Sequence, residues 1–124
     1  MARVLVVDDD PICRAIACEA LSASGHCCVE AEDGEVAVTR LREAAFELVL
    51  TDLLMPNKEG IETIMEIRQS WPTVKVIAMS GTAGQDGGID LLSIAGRLGA
   101  DATIPKPLRA LALLEVVDRV LAKP

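Results

Sequence analysis

Four apolar runs in the chain each stop abruptly at a polar residue. Val4 to Val7 ends at Asp8 and Asp9, Leu48 to Thr51 at Asp52, Val74 to Met79 at Ser80, and Ala102 to Pro105 at Lys106. Short apolar runs separated by helical segments read as parallel strands buried on both faces. Cys27 to Ala31 is a fifth run, and the segments between the runs carry helix signals. Asp10 and Pro11 suit the cap and first turn of a helix that follows a strand over about Arg3 to Asp8 and reaches about Ser24. Ile12, Ile16 and Ala20 recur along it at helical spacing, and Gly25 ends it. Asp33-Gly34 opens a second helix to about Ala45, and Glu47 to Asp52 is the third strand. Met55 to Gly60 reads as a turn, after which Ile61, Ile64 and Ile67 mark the buried stripe of a third helix that stops before Trp71-Pro72. Gly81 to Gly88 is too rich in glycine to be helical, and a fourth helix runs from about Ile89 to Gly99. The fifth runs from Leu108 to about Ala122, with apolar positions at Leu111, Leu114, Val117 and Leu121. Five strand–helix units with right-handed crossovers predict an α/β fold, a doubly wound parallel five-stranded sheet in a single domain over residues 1–124.

Ligands of an open sheet bind beyond the carboxyl ends of its strands. That rule gathers Asp8, Asp9, Asp52, Ser80 and Lys106 along one edge. A carboxylate can attack phosphorus to form an acyl phosphate, and catalysis of phosphoryl transfer is mostly positioning and neutralisation of charge. Mg²⁺ takes oxygen ligands, commonly one or two carboxylates with waters and phosphate oxygens. Asp9 and Asp52 suit direct ligation, Asp8 a metal-bound water, and the backbone carbonyl of Leu54 a further oxygen. Ser80 and Lys106 can then meet the phosphoryl oxygens by hydrogen bond and ion pair.

Charge and composition narrow the alternatives. A net charge of −7 argues against direct nucleic-acid binding, and Phe46 and Trp71 are the only aromatic residues, too few for a base-stacking platform. Part of that acidity is the crowding of Asp8, Asp9 and Asp52, which a cation relieves. No stretch approaches the ~18 apolar residues of a membrane span. Arg3 is the only charge before Asp8, where the first run ends, so that run reads as a strand and not a signal peptide. Cys13, Cys18, Cys27 and Cys28 form no C-x-x-C pair and read as small buried hydrophobes of a reducing cytoplasm. His26, following Ser24-Gly25, reads as a surface loop residue.

Taken in order, Leu5 to Pro11, Leu50 to Pro56, Val76 to Gly81, Leu98 to Asp101 and Lys106-Pro107 resemble the receiver domain of two-component response regulators over essentially the whole chain. The resemblance implies a flavodoxin-like strand order 2-1-3-4-5 and a cis Lys106-Pro107 bond. It also implies Asp52 as phosphoacceptor, Asp8 and Asp9 as the acidic pair, Ser80 as the switch hydroxyl and Lys106 as the site lysine. The implied cofactor is Mg²⁺. The implied partners are a sensor histidine kinase or phosphotransfer protein upstream, and an effector protein or fused output domain downstream. The implied protein is a cytoplasmic monomer or weak dimer, a signalling phosphoacceptor that catalyses phosphotransfer from its donor to itself and dephosphorylates slowly, and not an enzyme.

Three positions depart from the family pattern. Thr103 stands where an aromatic switch residue is common, Leu108 where Phe is common, and the loop after Ser80 is longer and richer in glycine. Without the aromatic, the signal is expected to pass through Gly81 to Gly88. Leu54 and Thr82 offer little to orient a water, so the acyl phosphate is expected to be long-lived. Two rivals stand beside this reading. Asp8-Asp9-Asp10 superficially matches a haloacid-dehalogenase-like phosphatase with Asp8 as nucleophile and Asp10 as general acid, but that leaves Asp52 without a role. A degenerate receiver acting as a phosphorylation-independent interaction module is the other.

Overall fold

The computed structural model describes residues 1–53, 60–81 and 91–123, with the side chains of 91 and 92 excepted. Ten elements alternate: β1 (Arg3–Val7), α1 (Pro11–Ala23), β2 (Cys27–Ala31), α2 (Gly34–Glu43), β3 (Leu48–Asp52), α3 (Gly60–Ser70), β4 (Lys75–Ser80), α4 (Leu91–Arg97), β5 (Ala102–Pro105) and α5 (Ala110–Leu121). All strand pairs are parallel and the order is β2-β1-β3-β4-β5. The first strand lies inside the sheet, so the chain winds outward from it in both directions and covers both faces with helices.

Alternation along each strand divides the interior in two. Val4, Val6, Leu48, Leu50, Ile77 and Met79 face α1 and α5 and pack with Ala17, Leu21, Leu113, Val117 and Val120. Leu5, Val7, Val49, Val76 and Ala78 face the other way, toward Ala37, Leu41, Ile64, Ile67 and Ala95. Each such Val, Leu or Ile, taken wholly out of water, contributes about 1.5–3 kcal/mol before chain entropy is set against it.

Two helices bury a different stripe from the one their spacing suggested. In α1 the buried residues are Cys13, Ala17, Ala20 and Leu21, whereas Ile12 is 70% and Ile16 42% exposed. Small side chains on the inner face let the helix lie close to the sheet, and the bulky pair is left outside. In α5 the buried residues are Leu113, Val117 and Val120, with Leu111 exposed and Leu114 and Leu121 half-buried. That helix is apolar around most of its girth, so period alone leaves its rotation open. The third stripe is as expected: Ile64 and Ile67 are buried and Ile61 half-buried.

Local signals set the helix starts. Asp10 caps α1 by accepting from the Ile12 N–H, with Pro11 in the first turn, and Asp33 caps α2 by accepting from Val36. His26 does more than sit on the surface: it is half-buried, and its Nδ1 accepts the Ala2 N–H at 3.0 Å, fastening the start of β1 to the turn before β2. The cysteines also depart from expectation. Only Cys13 is a buried free thiol; Cys27 is exposed, and Cys18 and Cys28 are joined as a disulfide between α1 and β2.

Candidate functional site

Register places the candidate residues. Val7 lies level with Thr51 across the β1–β3 pair, so Asp8 and Asp52, each one residue further on, emerge side by side. Asp52 is level with Met79 of β4, and Ser80 with Pro105 of β5, which puts Ser80 and Lys106 on the same edge. Backbone bonds extend that register past the strands. The Asp8 N–H donates to Ala31 O at 3.1 Å, Leu53 N–H to Met79 O at 3.0 Å, and Lys106 N–H to Ser80 O at 2.9 Å. The Lys106-Pro107 bond is cis.

The side chains converge accordingly. One carboxylate oxygen from each of Asp8, Asp9 and Asp52 lies within 4.8 Å of the others, Asp8 and Asp52 being buried and Asp9 exposed. Lys106 Nζ reaches into the group, 2.7 Å from Asp8 Oδ2 and 3.4 Å from Asp52 Oδ1. Ser80 is buried at the neighbouring strand end. Leu54, whose carbonyl was a candidate ligand, lies outside the described residues, as does the loop after Gly81 up to residue 90.

Three carboxylates thus face one ammonium, and the imbalance shows in their proton affinities. Burial alone pushes the Asp8 carboxyl up, but the Lys106 hydrogen bond, the Asp10 N–H on its Oδ1 (2.9 Å) and the Cys13 thiol together hold it below its ordinary value. Asp52 is pushed up to about 6, first by burial and then by the Asp8 charge, against the opposing pull of Lys106. Burial also pulls the Lys106 ammonium down, yet the Asp8 and Asp52 carboxylates outweigh it and raise it above its ordinary value. Cys13, buried and hydrogen-bonded to Asp8, is pushed up to about 12 and stays a thiol. A hard divalent cation fits this oxygen set, since it supplies the positive charge that one lysine leaves short.

Two residues support the site that the spacing of charges could not single out. Gly60, read as a turn glycine, opens α3 against the end of β3: a Cβ there would lie 2.1 Å from Asp52 O and 2.6 Å from Leu53 Cα. Its N–H donates to Leu53 O at 3.1 Å. Only glycine permits that approach, so Gly60 fixes the backbone that carries Asp52. Arg14 is the other. Its guanidinium donates to Asp8 O at 2.7 Å and to Glu30 Oε1 at 2.9 Å, bracing the Asp8 backbone from α1 and β2 together. An arginine one turn into a helix that follows the acidic pair is the only signal that could have marked it.

Comparisons with known proteins agree with this geometry. The model of the response regulator receiver domain matches residues 4–118. The two-component response regulator ORR41 of Oryza sativa subsp. japonica is 43% identical over 112 residues, covering 87% of this chain and 85% of that protein. The gliding motility regulatory protein of Myxococcus xanthus is 37% identical over 109 residues, covering 80% of this chain but 14% of that protein. This chain thus corresponds to nearly all of one relative and to a small part of another. Among solved structures, the response regulator protein TrrA of Thermotoga maritima, in complex with Mg(2+)-BeF, superposes with a TM-score of 0.83 at 29% identity, over 97% of this chain and 99% of that one.

Proposed function

The chain belongs to the response regulator receiver family, and we propose that it works as a cytoplasmic phosphoacceptor switch in which Asp52 takes a phosphoryl group from a histidine kinase or phosphotransfer protein. The observation that carries the reading is the convergence of Asp8, Asp9 and Asp52 within 4.8 Å around the Lys106 ammonium. An Asp52 carboxylate oxygen attacks the donor's phosphorus; the O–P bond forms as the P–N bond to the donor imidazole breaks, and the imidazole leaves with a proton from solvent. Lys106, already 3.4 Å from Asp52 Oδ1, pairs with one phosphoryl oxygen, and the Ser80 hydroxyl donates to another. Mg²⁺, when bound, would be held by Asp9, Asp52 and the backbone carbonyl expected of Leu54, with Asp8 acting on a metal-bound water, and would supply the remaining charge neutralisation, a reading that the Mg(2+)-BeF complex of TrrA supports by analogy. The signal leaves through the loop after Ser80 and the α4–β5–α5 face toward an effector or a fused output domain. Thr103 is exposed on that face in the place of an aromatic, so no ring swings inward.

Asp10 argues against the phosphatase reading. Its carboxylate is committed to the Ile12 N–H at 2.9 Å as a helix cap and is not poised as a general acid. Incubation with acetyl phosphate and Mg²⁺, followed by intact mass, tests the choice. One phosphoryl group should be incorporated, and Asp52→Asn should abolish it while Asp10→Asn leaves it intact. Incorporation that survives Asp52→Asn and fails in Asp8→Asn would overturn the proposal.

A further inference from the structure

Helix α1 and the edge strand β2 are joined by two cross-links in the same pair of rows. Arg14 and Cys18 are four residues apart on α1 and share a helix face; Cys28 and Glu30 are two apart on β2 and share a sheet face. Arg14 Nε meets Glu30 Oε1 at 2.9 Å, and one turn further along Cys18 is bonded to Cys28, their Cα atoms 5.6 Å apart. The ionic link continues into the site, because the same Arg14 guanidinium donates to Asp8 O at 2.7 Å. On its other side the Asp8 N–H donates to Ala31 O, the last residue of β2. Asp8 is therefore held by the two elements that the disulfide joins.

We propose that Cys18 and Cys28 are a reversible dithiol–disulfide couple in exchange with the glutathione pool, and that its oxidation clamps α1 to β2 and steadies the Asp8 backbone through Arg14. The reversibility rests on the cytoplasmic placement proposed above, since disulfides in that compartment are usually transient and redox-sensing. Both cysteines are half-buried at the rim of the core, within reach of a small thiol. In the oxidising direction a Cys18 thiolate attacks one sulfur of oxidised glutathione, forming a mixed disulfide and releasing one glutathione thiol. The Cys28 thiolate then attacks Cys18 Sγ, closing the protein disulfide and releasing the second. Two electrons and two protons pass from the protein dithiol to glutathione disulfide, which leaves as two thiols. The exposed Cys27 takes no part, and Cys13 is enclosed beside Asp8.

The test uses the whole chain carrying Cys27→Ser, so that intermolecular bonds do not confuse the count. After equilibration in glutathione buffers of graded ratio, denaturation and alkylation, intact mass should pass from three alkylated thiols to one as the buffer becomes oxidising, and return on reversal. Three free thiols at every ratio, or one at every ratio, would overturn the couple. Amide hydrogen exchange at Asp8 and Asp10, without metal, should slow by about threefold or more in the oxidised form. Glu30→Gln should form the bond yet lose most of that protection difference. Equal exchange in both redox states overturns the coupling to Asp8. A Mg²⁺ titration of both forms reads the receiver function separately: no binding in either counts against that reading, while thiol counts and amide exchange still decide this one.

Discussion

The two edges of the one sheet are built on opposite principles. At the amino edge, charges are matched locally. Asp101 accepts the Val76 N–H at 2.8 Å and returns its own N–H to Val76 O at 2.7 Å. Arg68 pairs with Asp101 and donates to Val74 O and Pro72 O, with Nε alone lacking a partner among the described residues. Gly99, at φ 113°, leaves the room that the Arg68 stem occupies, where a Cβ would come within 2.8 Å. Arg3 lies over the Phe46 ring, 5.1 Å from its centroid. At the carboxyl edge, three carboxylates crowd one lysine, and Asp52 is driven up to about 6. One edge stabilises the fold; the other holds repulsion that ligand binding can relieve, as functional sites do when the surrounding structure over-determines them.

The comparison breaks most severely at the joint that holds Asp52 in place. Gly60→Ala puts a methyl group within 2.1 Å of Asp52 O, against backbone that has no side chain to swing away. We expect a loss of roughly 3 kcal/mol or more in urea denaturation, together with loss of phosphoryl uptake from acetyl phosphate. An alanine variant of unchanged stability would mean that α3 does not start against β3 in this way.

Charge repulsion at the carboxyl edge gives the next largest effect, and its sign is unusual. The ordinary value for the Asp52 carboxyl is 3.8, and the fold raises it to about 6. The folded state therefore binds the proton more tightly than the unfolded chain. The stability this group lends is complete below pH 3.8 and is lost as pH rises through about 6. Asp52→Asn removes the ionised form, so without metal the variant should be more stable than the parent at pH 8, by on the order of 2 kcal/mol. The gain should fade toward pH 4 and shrink when Mg²⁺ stabilises the parent. Asp8, held below its ordinary value, runs the other way: its contribution is present at neutral pH and is lost as pH falls through the lowered value, so Asp8→Asn should destabilise at pH 8. Denaturation at several pH values checks both signs. Equal effects from the two asparagines would erase the contrast.

What the sequence shows of these edges depends on how local the signal is. Strand ends are legible because a buried run must stop where a polar group begins, and Asp8, Asp52, Ser80 and Lys106 are such stops. Parallel pairing then aligns them with little freedom, and the expected strand order follows from the family resemblance. Helix rotation is less legible. Ile12 and Ile16 keep helical spacing as well as Cys13 and Ala17 do, and the choice falls to how closely α1 must approach the sheet. Contacts between elements are hidden altogether. The Cys18–Cys28 bond needs both the rotation of α1 and the face of β2, and Gly60 looks like any turn glycine until α3 is set against Asp52.

The amino edge predicts a smaller and plainer response. Arg68→Met keeps the aliphatic stem beside Gly99 but removes the donors to Val74 O and Pro72 O and the ion pair with the half-buried Asp101. Asp101 still accepts from Val76, so its carboxylate is not stranded. The expected loss is about 1–2 kcal/mol, the scale of hydrogen bonds made by a charged group at a half-exposed site. It should be the same with and without Mg²⁺, because the residue lies at the far edge of the sheet. A Mg²⁺-dependent change would show that the two edges are coupled.

The smallest effect belongs to the apolar residues that the carboxyl edge leaves outside. Ile12 is 70% exposed and, with Ile16, Leu108 and Pro107, lines a shallow groove of roughly 360 Å³ next to Lys106. A side chain that stays mostly in water contributes little to folding, so Ile12→Ser should shift stability by no more than about 0.5 kcal/mol. Leu21→Ala, on the buried face of the same helix, should cost about 2–5 kcal/mol. The pair separates α1's inner and outer faces by one measurement, urea denaturation at fixed pH. If Ile12→Ser costs as much as Leu21→Ala, then α1 is rotated to turn Ile12 toward the sheet. Arg14 would in that case no longer reach Asp8 O, and the brace at the acidic pair would be lost.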